Sequence, residues 1–277
     1  MSVRILVDST CDLPLDLQKK WDIGVAPLFV QLGKESYLDR IDLNIDDFYR
    51  WCRTHTELPK TAQPSVGNCE KLIRESLEHY DEVICLTISS GLSGTAQAFR
   101  LAGEAYGNRV TVYDTLFGSL GVALMAVKAA EMSQMGLSTS DILLEVQNLR
   151  SQLKVYVALD TLEYAVKGGR VSRLSYIAAN LFTIKPIVHL DTDGLVKVIE
   201  KARSETKALR YLINVMKEKY AGTRPQRIGI AHGDCEERMY AFVQMVQDEL
   251  NPLDIMLSEI GPAIGTYAAP GALLVAF

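Results

Sequence analysis

Short β-rich apolar runs alternate with helical patterns through the first half of the chain, and this alternation restricts the fold more than any other feature. Residues 3–7, 83–88 and 110–113 are brief, rich in β-branched side chains and bounded by turn residues, the pattern of fully buried strands. Between them, residues 65–80 place Cys69, Leu72, Ile73 and Leu77 on one helical face behind Ser65 as N-cap. Further helices are predicted after Ser93, over 119–135 and over 138–150. Such alternation builds an open, mostly parallel sheet with helices on both faces.

The second half has a different rhythm. Residues 153–159 read as a strand, followed by a short helix that stops at Gly168-Gly169. Runs 186–190 and 195–199 flank Asp191-Thr192-Asp193-Gly194, a hairpin signal. A helix over 204–220, a strand over 228–232 and a helix over 234–250 follow, the last with Asp234 and Glu237 set for reciprocal capping. The expected fold is α/β with two domains. An N-terminal α/β/α domain with a mostly parallel sheet covers residues 1–150, and a C-terminal α+β domain with antiparallel strands covers residues 151–277.

Composition narrows the function. At 277 residues, 48% hydrophobic and 23% charged, the chain buries a core without covalent staples. A net charge of −5, from 29 basic and 34 acidic side chains, argues against nucleic acid as the partner. Five cysteines with no Cys-x-x-Cys pair fit free thiols in a reducing cytosol. The first apolar stretch is cut off at Asp8, and no run nears the ~20 residues of a membrane span. A cytoplasmic protein without stable membrane insertion is expected.

Small polar residues gather where strands end, at Asp8-Ser9-Thr10, at Ser89-Ser90-Gly91-Leu92-Ser93-Gly94-Thr95 and at Asp114-Thr115. Ligands of open α/β sheets sit outside the carboxyl ends of the strands, so the three clusters are expected to converge on one crevice. The middle cluster feeds a helix N-terminus, whose N–H groups and positive end favour an anion. The hydroxyls of Ser90, Ser93 and Thr95 are expected to donate to that anion. Dinucleotide and Walker-type phosphate fingerprints are missing, and no carboxylate–histidine spacing suggests a metal. Gly91-Leu92-Ser93-Gly94 is one residue short of a nucleophile elbow, so no catalytic residue and no cofactor is assigned. The alternative is a serine-dependent acyl hydrolase using Ser93 with a histidine such as His232. Three further pieces belong near the crevice: the turn from Thr61 to Ser65, Lys167-Gly168-Gly169-Arg170, and the small-residue run from Gly261 to Gly271.

In order and over nearly the whole chain, Asp8-Ser9-Thr10, the Thr61 turn, the Ser89 cluster, Gly168-Gly169-Arg170, Lys185-Pro186-Ile187 and the Gly261 run resemble the DegV family of fatty-acid-binding proteins. The resemblance implies a carrier, not an enzyme, whose two domains grip one long-chain fatty acid. Its carboxylate would lie at the domain interface and its tail in an internal tunnel. Some members present the fatty acid to a partner kinase, which phosphorylates the carboxylate for phospholipid synthesis. Position by position, Thr61 and Ser93 would bind the carboxylate with main-chain help around Ser93 and Gly94, and Arg170 would support it from the second domain. Arg203 would stand at the kinase-docking position, beside Lys207, Arg210 and Lys217 on the following helix. The family commonly has histidine where Tyr267 stands and glycine where Ala269 stands. A phenol donates a hydrogen bond but, unlike an imidazole, does not change charge near neutral pH. Ligand binding at Tyr267 is therefore expected, and a carrier of another hydrophobic acid with no kinase is the other alternative.

Overall fold

The computed structural model describes residues 2–171 and 184–277. In the N-terminal half, β1 (Val3–Asp8), β2 (Gly24–Ala26), β6 (Glu82–Thr87) and β7 (Val110–Asp114) form a parallel sheet in the order β2-β1-β6-β7. Period-two alternation sends Leu6, Val83 and Cys85 to one face, where they meet Cys69, Ile73 and Phe99 of α3 (Val66–Leu77) and α4 (Thr95–Gly103). Ile5, Val7, Ile84 and Leu86 point to the other face, against α5 (Leu120–Gln134), beside which lies α6 (Thr139–Gln152). Both faces of β1 and β6 are covered, hence their continuous apolar runs. The third run, expected to be fully buried, is half-buried, because β7 is the edge strand.

The C-terminal half is a six-stranded sheet in the order β10-β9-β8-β13-β11-β12, antiparallel except for β11 against β12. Its strands are β8 (Val155–Ala158), β9 (Lys185–Leu190), β10 (Val196–Ala202), β11 (Arg227–His232), β12 (Asp254–Glu259) and β13 (Leu273–Ala276). The hairpin forms as its turn residues require: the Asp191 carboxylate accepts from the Asp193 and Leu195 amides, and Gly194 takes φ +73°. One face packs on α8 (Glu205–Tyr220) and α9 (Glu236–Leu250) through Ile187, Leu212, Ile213, Ile230 and Phe242. The other face meets α5, which touches β1 and β6 on one side and β11 and β13 on the other. A helix clasped by two sheets must be apolar nearly all round, and residues 120–127 of α5 are all buried.

Two elements carried no expectation, and one further expectation needs correction. Residues 29–62, which carried no strand expectation, form a small antiparallel sheet of β3 (Phe29–Leu32), β4 (Glu35–Leu38) and β5 (Lys60–Ala62), in the order β4-β3-β5. It shares a separate core with α2 (Ile45–Thr54) through Val30, Phe48 and Tyr49. The Gly261 run, for which the sequence predicts no element, holds helix α10 (Pro262–Ala268), with Pro262 at its first position, where its missing N–H costs nothing. Gly265 lets that helix approach α2, since a Cβ there would lie 2.7 Å from the Phe48 ring. Finally, Asp234 and Glu237 make no capping box. Asp234 turns to φ +57° and pairs with Arg53, and α9 starts behind Cys235 without a side-chain cap. Among the described residues, no helix is long and apolar enough to cross a membrane.

Candidate functional site

A cavity of about 370 Å³ lies between the two sheets, within the usual range for a small-molecule site. Its apolar wall comes largely from the C-terminal sheet: Val155 and Val157 of β8, Val188 and Leu190 of β9, Val196 of β10 and Leu274 of β13. Leu28 and Ile88 add side chains from the N-terminal half. Of the polar residues on its lining, Thr10 and Ser119 spend their hydroxyl hydrogens on the buried Asp8 and Asp12. The pKa of His189 is held below the ordinary imidazole range by burial.

The remaining polar lining residues, Thr61, Gln63, Ser93, Gly94, Arg170 and Tyr267, form one contiguous cluster. Thr61 is placed by β5, and its Oγ1 lies 2.7 Å from the Tyr267 hydroxyl of α10, a bond that joins the two halves. The Arg170 guanidinium follows α7 (Glu163–Lys167) and donates to the Leu92 carbonyl at 3.2 Å and to the Gly168 carbonyl at 2.7 Å. These bonds hold its Cζ 4.6 Å over the Tyr267 ring, a cation–π contact. Gly168 makes room for that ring, because a Cβ there would lie 2.5 Å from Tyr267 Cε1. The Gln63 side chain lies directly against Gly94, the N-cap residue of α4, which offers no side-chain cap.

Thr61, Ser93, Gly94, Arg170 and Tyr267 therefore all line one cavity, whereas Arg203 is exposed beyond the end of β10 and lies off it. The three polar clusters do not all reach the crevice. Asp114 instead accepts from the Ser90 amide at 3.2 Å, and the Thr115 hydroxyl donates to the Thr87 carbonyl. Of the three expected hydroxyl donors, only Ser93 faces the cavity. Ser90 stays outside it, and Thr95 is buried behind Ser93, its Oγ1 2.9 Å from Ser93 Oγ. The Ser93 amide is already bonded to the Ser89 carbonyl, so the free main-chain donors begin at Gly94. Ser89 donates to the Gly194 carbonyl and so ties the hairpin turn to the loop before α4. On α8, Arg210 and Lys217 both pair with Glu249 of α9, which shortens the expected basic face.

His232 does not share the cavity of Ser93; it lines a separate groove. No group of three or more potential metal ligands occurs among the described residues. Gln63 as a wall residue and the strands of the C-terminal sheet as the ligand wall are not evident from the sequence motifs. The alternation of Val155 and Val157 carried that signal.

Comparison with known proteins agrees with this architecture. A family model described as "Uncharacterised protein, DegV family" matches residues 2–277. A Thermotoga maritima protein named "Fatty acid-binding protein" is 33% identical, covering 99% of this chain and 96% of its own. A Thermus thermophilus DegV family structure described by its fatty acid binding superposes with a TM-score of 0.94 at 31% identity, covering 100% of this chain and 99% of that one. Bacillus subtilis DegV, described as a fatty acid binding protein, superposes with a TM-score of 0.90 at 29% identity over 100% and 98% of the two chains. With a parallel sheet, a mostly antiparallel one and a full-length match, this chain belongs to the DegV family.

Proposed function

We propose that this protein binds a long-chain fatty acid. Its carboxylate would lie among Thr61, Ser93, the Gly94 amide and Tyr267, and its tail would run in a tunnel along the valine-rich wall. The observation that carries this reading is the make-up of the cavity, one apolar wall meeting a single polar cluster contributed by both halves. Each buried methylene contributes about 0.8 kcal/mol, so a long tail supplies affinity while the polar cluster only has to orient the head group. Arg170 is half-buried and held over Tyr267, and it supports a carboxylate electrostatically.

The protein acts as a cytoplasmic carrier and presents the acyl group to a fatty acid kinase for acyl-phosphate formation, a route to phospholipid. Arg203, exposed beside the N-terminus of α8, is the docking residue. The two units divide near residue 150, at the end of α6. Free cysteines at all five positions fit a reducing compartment. The carrier reading is supported over hydrolysis because Ser93 Oγ meets Thr95 and His232 lines a different groove, while His189, on the β9 wall of the same cavity, makes no hydrogen bond to Ser93.

The test is mass spectrometry of an organic extract of natively purified protein, with about one fatty acid per chain expected. Repeated extracts without lipid, together with no binding of added fatty acid, would overturn the proposal. A different hydrophobic acid in the extract would favour the carrier without a kinase.

A further inference from the structure

A second groove, of about 600 Å³, opens where α1 (Leu15–Lys20), the start of α2, the start of α9 and the end of β12 meet. Its apolar lining is unusually exposed for large side chains: Leu15 is 64% accessible, Tyr240 53% and Leu257 36%, with Ile45 half-buried between them. Four exposed carboxylates rim it, Asp16, Asp46, Glu236 and Glu259, and none has an ion-pair or side-chain hydrogen-bond partner among the described residues. Three of them sit in the first turn of a helix, where the helix end offsets at most about half a charge each, so roughly −4 against +1.5 from the helix ends and about +1 from Arg40 still leaves the groove negative. The one guanidinium on the lining, Arg40, is already bound to the Leu13 and Glu259 carbonyls and faces the buried Asp12.

The floor adds an independent feature. The His232 ring is 6% exposed and lines the groove, and its Nδ1 accepts from the Cys235 amide at 3.2 Å. That bond leaves the ring hydrogen on Nε2, which has no partner among the described residues and is a donor to a bound acceptor. We propose that this groove docks a basic amphipathic segment of a partner protein. Its apolar side chains would cover Leu15, Tyr240 and Leu257, its lysines or arginines would meet the four carboxylates, and a backbone carbonyl would accept from His232. Helix-in-groove recognition uses this combination of an apolar floor and a rim of opposite charge. Nucleic acid and anionic membranes are repelled by the same rim.

The test is fluorescence anisotropy of the full chain with a labelled amphipathic Leu/Lys peptide, beside a Leu/Glu peptide of equal length. Saturable binding of the Leu/Lys peptide alone is expected. The double variant Asp46→Lys/Glu236→Lys weakens it at least tenfold and Tyr240→Ala weakens it several-fold. Charge reversal at two distant exposed acids, Glu78→Lys/Glu104→Lys, leaves it within twofold. Equal loss in the distant pair, equal binding of the Leu/Glu peptide, or no saturable binding overturns the proposal. So does sedimentation showing that the groove variants abolish self-association, because the occupant would then be a second copy of this chain.

Discussion

The Arg170 guanidinium lies 4.6 Å over the ring of Tyr267, a contact between a loop after α7 and the last turn of α10. It converts a tyrosine into a fixed part of the head-group cluster: the ring is held from above, and the hydroxyl is aimed at Thr61 Oγ1, 2.7 Å away. A histidine in this position offers a ring nitrogen and an adjustable charge, whereas Tyr267 offers one neutral hydroxyl on a clamped ring.

Tyr267→Phe keeps the ring beneath Arg170 and removes the hydroxyl. Fatty-acid affinity should fall by about 1–3 kcal/mol, roughly five- to 150-fold, because the hydroxyl is a charge-assisted donor to the carboxylate. If the hydroxyl suffices for presentation, Tyr267→His brings no large gain in kinase-dependent acyl phosphate. A gain of about tenfold with unchanged binding, equivalent to ~1.4 kcal/mol of barrier, would show that the kinase requires the charge or the proton shuttle of an imidazole.

At Ser93 the structure adds a stability cost to the expected loss of binding. Ser93→Ala removes a carboxylate donor and should weaken fatty-acid binding by about 1–3 kcal/mol. It also strips the fully buried Thr95 hydroxyl of its partner 2.9 Å away. Unfolding of the ligand-free protein should therefore become easier by about 1 kcal/mol. Adding Thr95→Val should recover much of that stability and none of the binding. Wild-type affinity in Ser93→Ala would place the carboxylate elsewhere.

Much of the architecture was legible because it follows from local chemistry. The buried parallel strands, the Asp191–Gly194 turn and the helix capped by Ser65 are each dictated by residues within one element. What was not legible depends on partners far away in sequence. The β3–β5 sheet is built of three- and four-residue strands, too short to show a period, and is held by α2. The helix α10 hides in a glycine- and proline-rich run because its glycine serves packing on Phe48, not a turn. At the site, Thr61, Ser93, Arg170 and Tyr267 could be singled out as small clusters. The inward turn of Ser93 and the burial of Thr95 depend on how the loop before α4 is tied to Asp114 and to the Gly194 turn.

Ala269 shows the price of a side chain in a glycine position. It is fully buried at φ +66°, ψ 166°, a region otherwise occupied by glycine and strained by about 1–3 kcal/mol for other residues. Relieving that strain competes with glycine's larger unfolded-state entropy, about 0.4–1 kcal/mol, and with a buried methyl of about 0.8 kcal/mol. The conformation lies at the costly end of the range, so Ala269→Gly should stabilise the fold by about 1 kcal/mol in urea unfolding. A destabilised variant would mean that the methyl outweighs the backbone.

The acid knot beneath α10 predicts an unusual pH dependence. Asp12 accepts from the Gly261 amide at 2.8 Å and from Ser119, while Asp39 accepts from Ser9 at 2.6 Å and keeps one oxygen without a partner among the described residues. Burial pushes the carboxyl of Asp12 up to about 6 and that of Asp39 up to about 7, and the nearby Arg40 offsets only part of each. Burial raises Asp8 as well. In the unfolded chain these groups lose their protons near the ordinary ~3.9. The folded state thus holds more protons between about pH 4 and 7, and its stability falls as pH rises through that window. His189 works in the opposite direction, because burial favours its neutral form in the fold. Comparison with Asp39→Asn removes that contribution, since the variant keeps an acceptor for Ser9 and deletes one buried charge. Urea unfolding from pH 5 to 8 should show the variant gaining stability over the wild type as pH rises to about 7, the difference levelling off towards pH 8. A difference that is constant across this range would mean that Asp39 is ionised throughout it and that its charge is compensated in the folded protein.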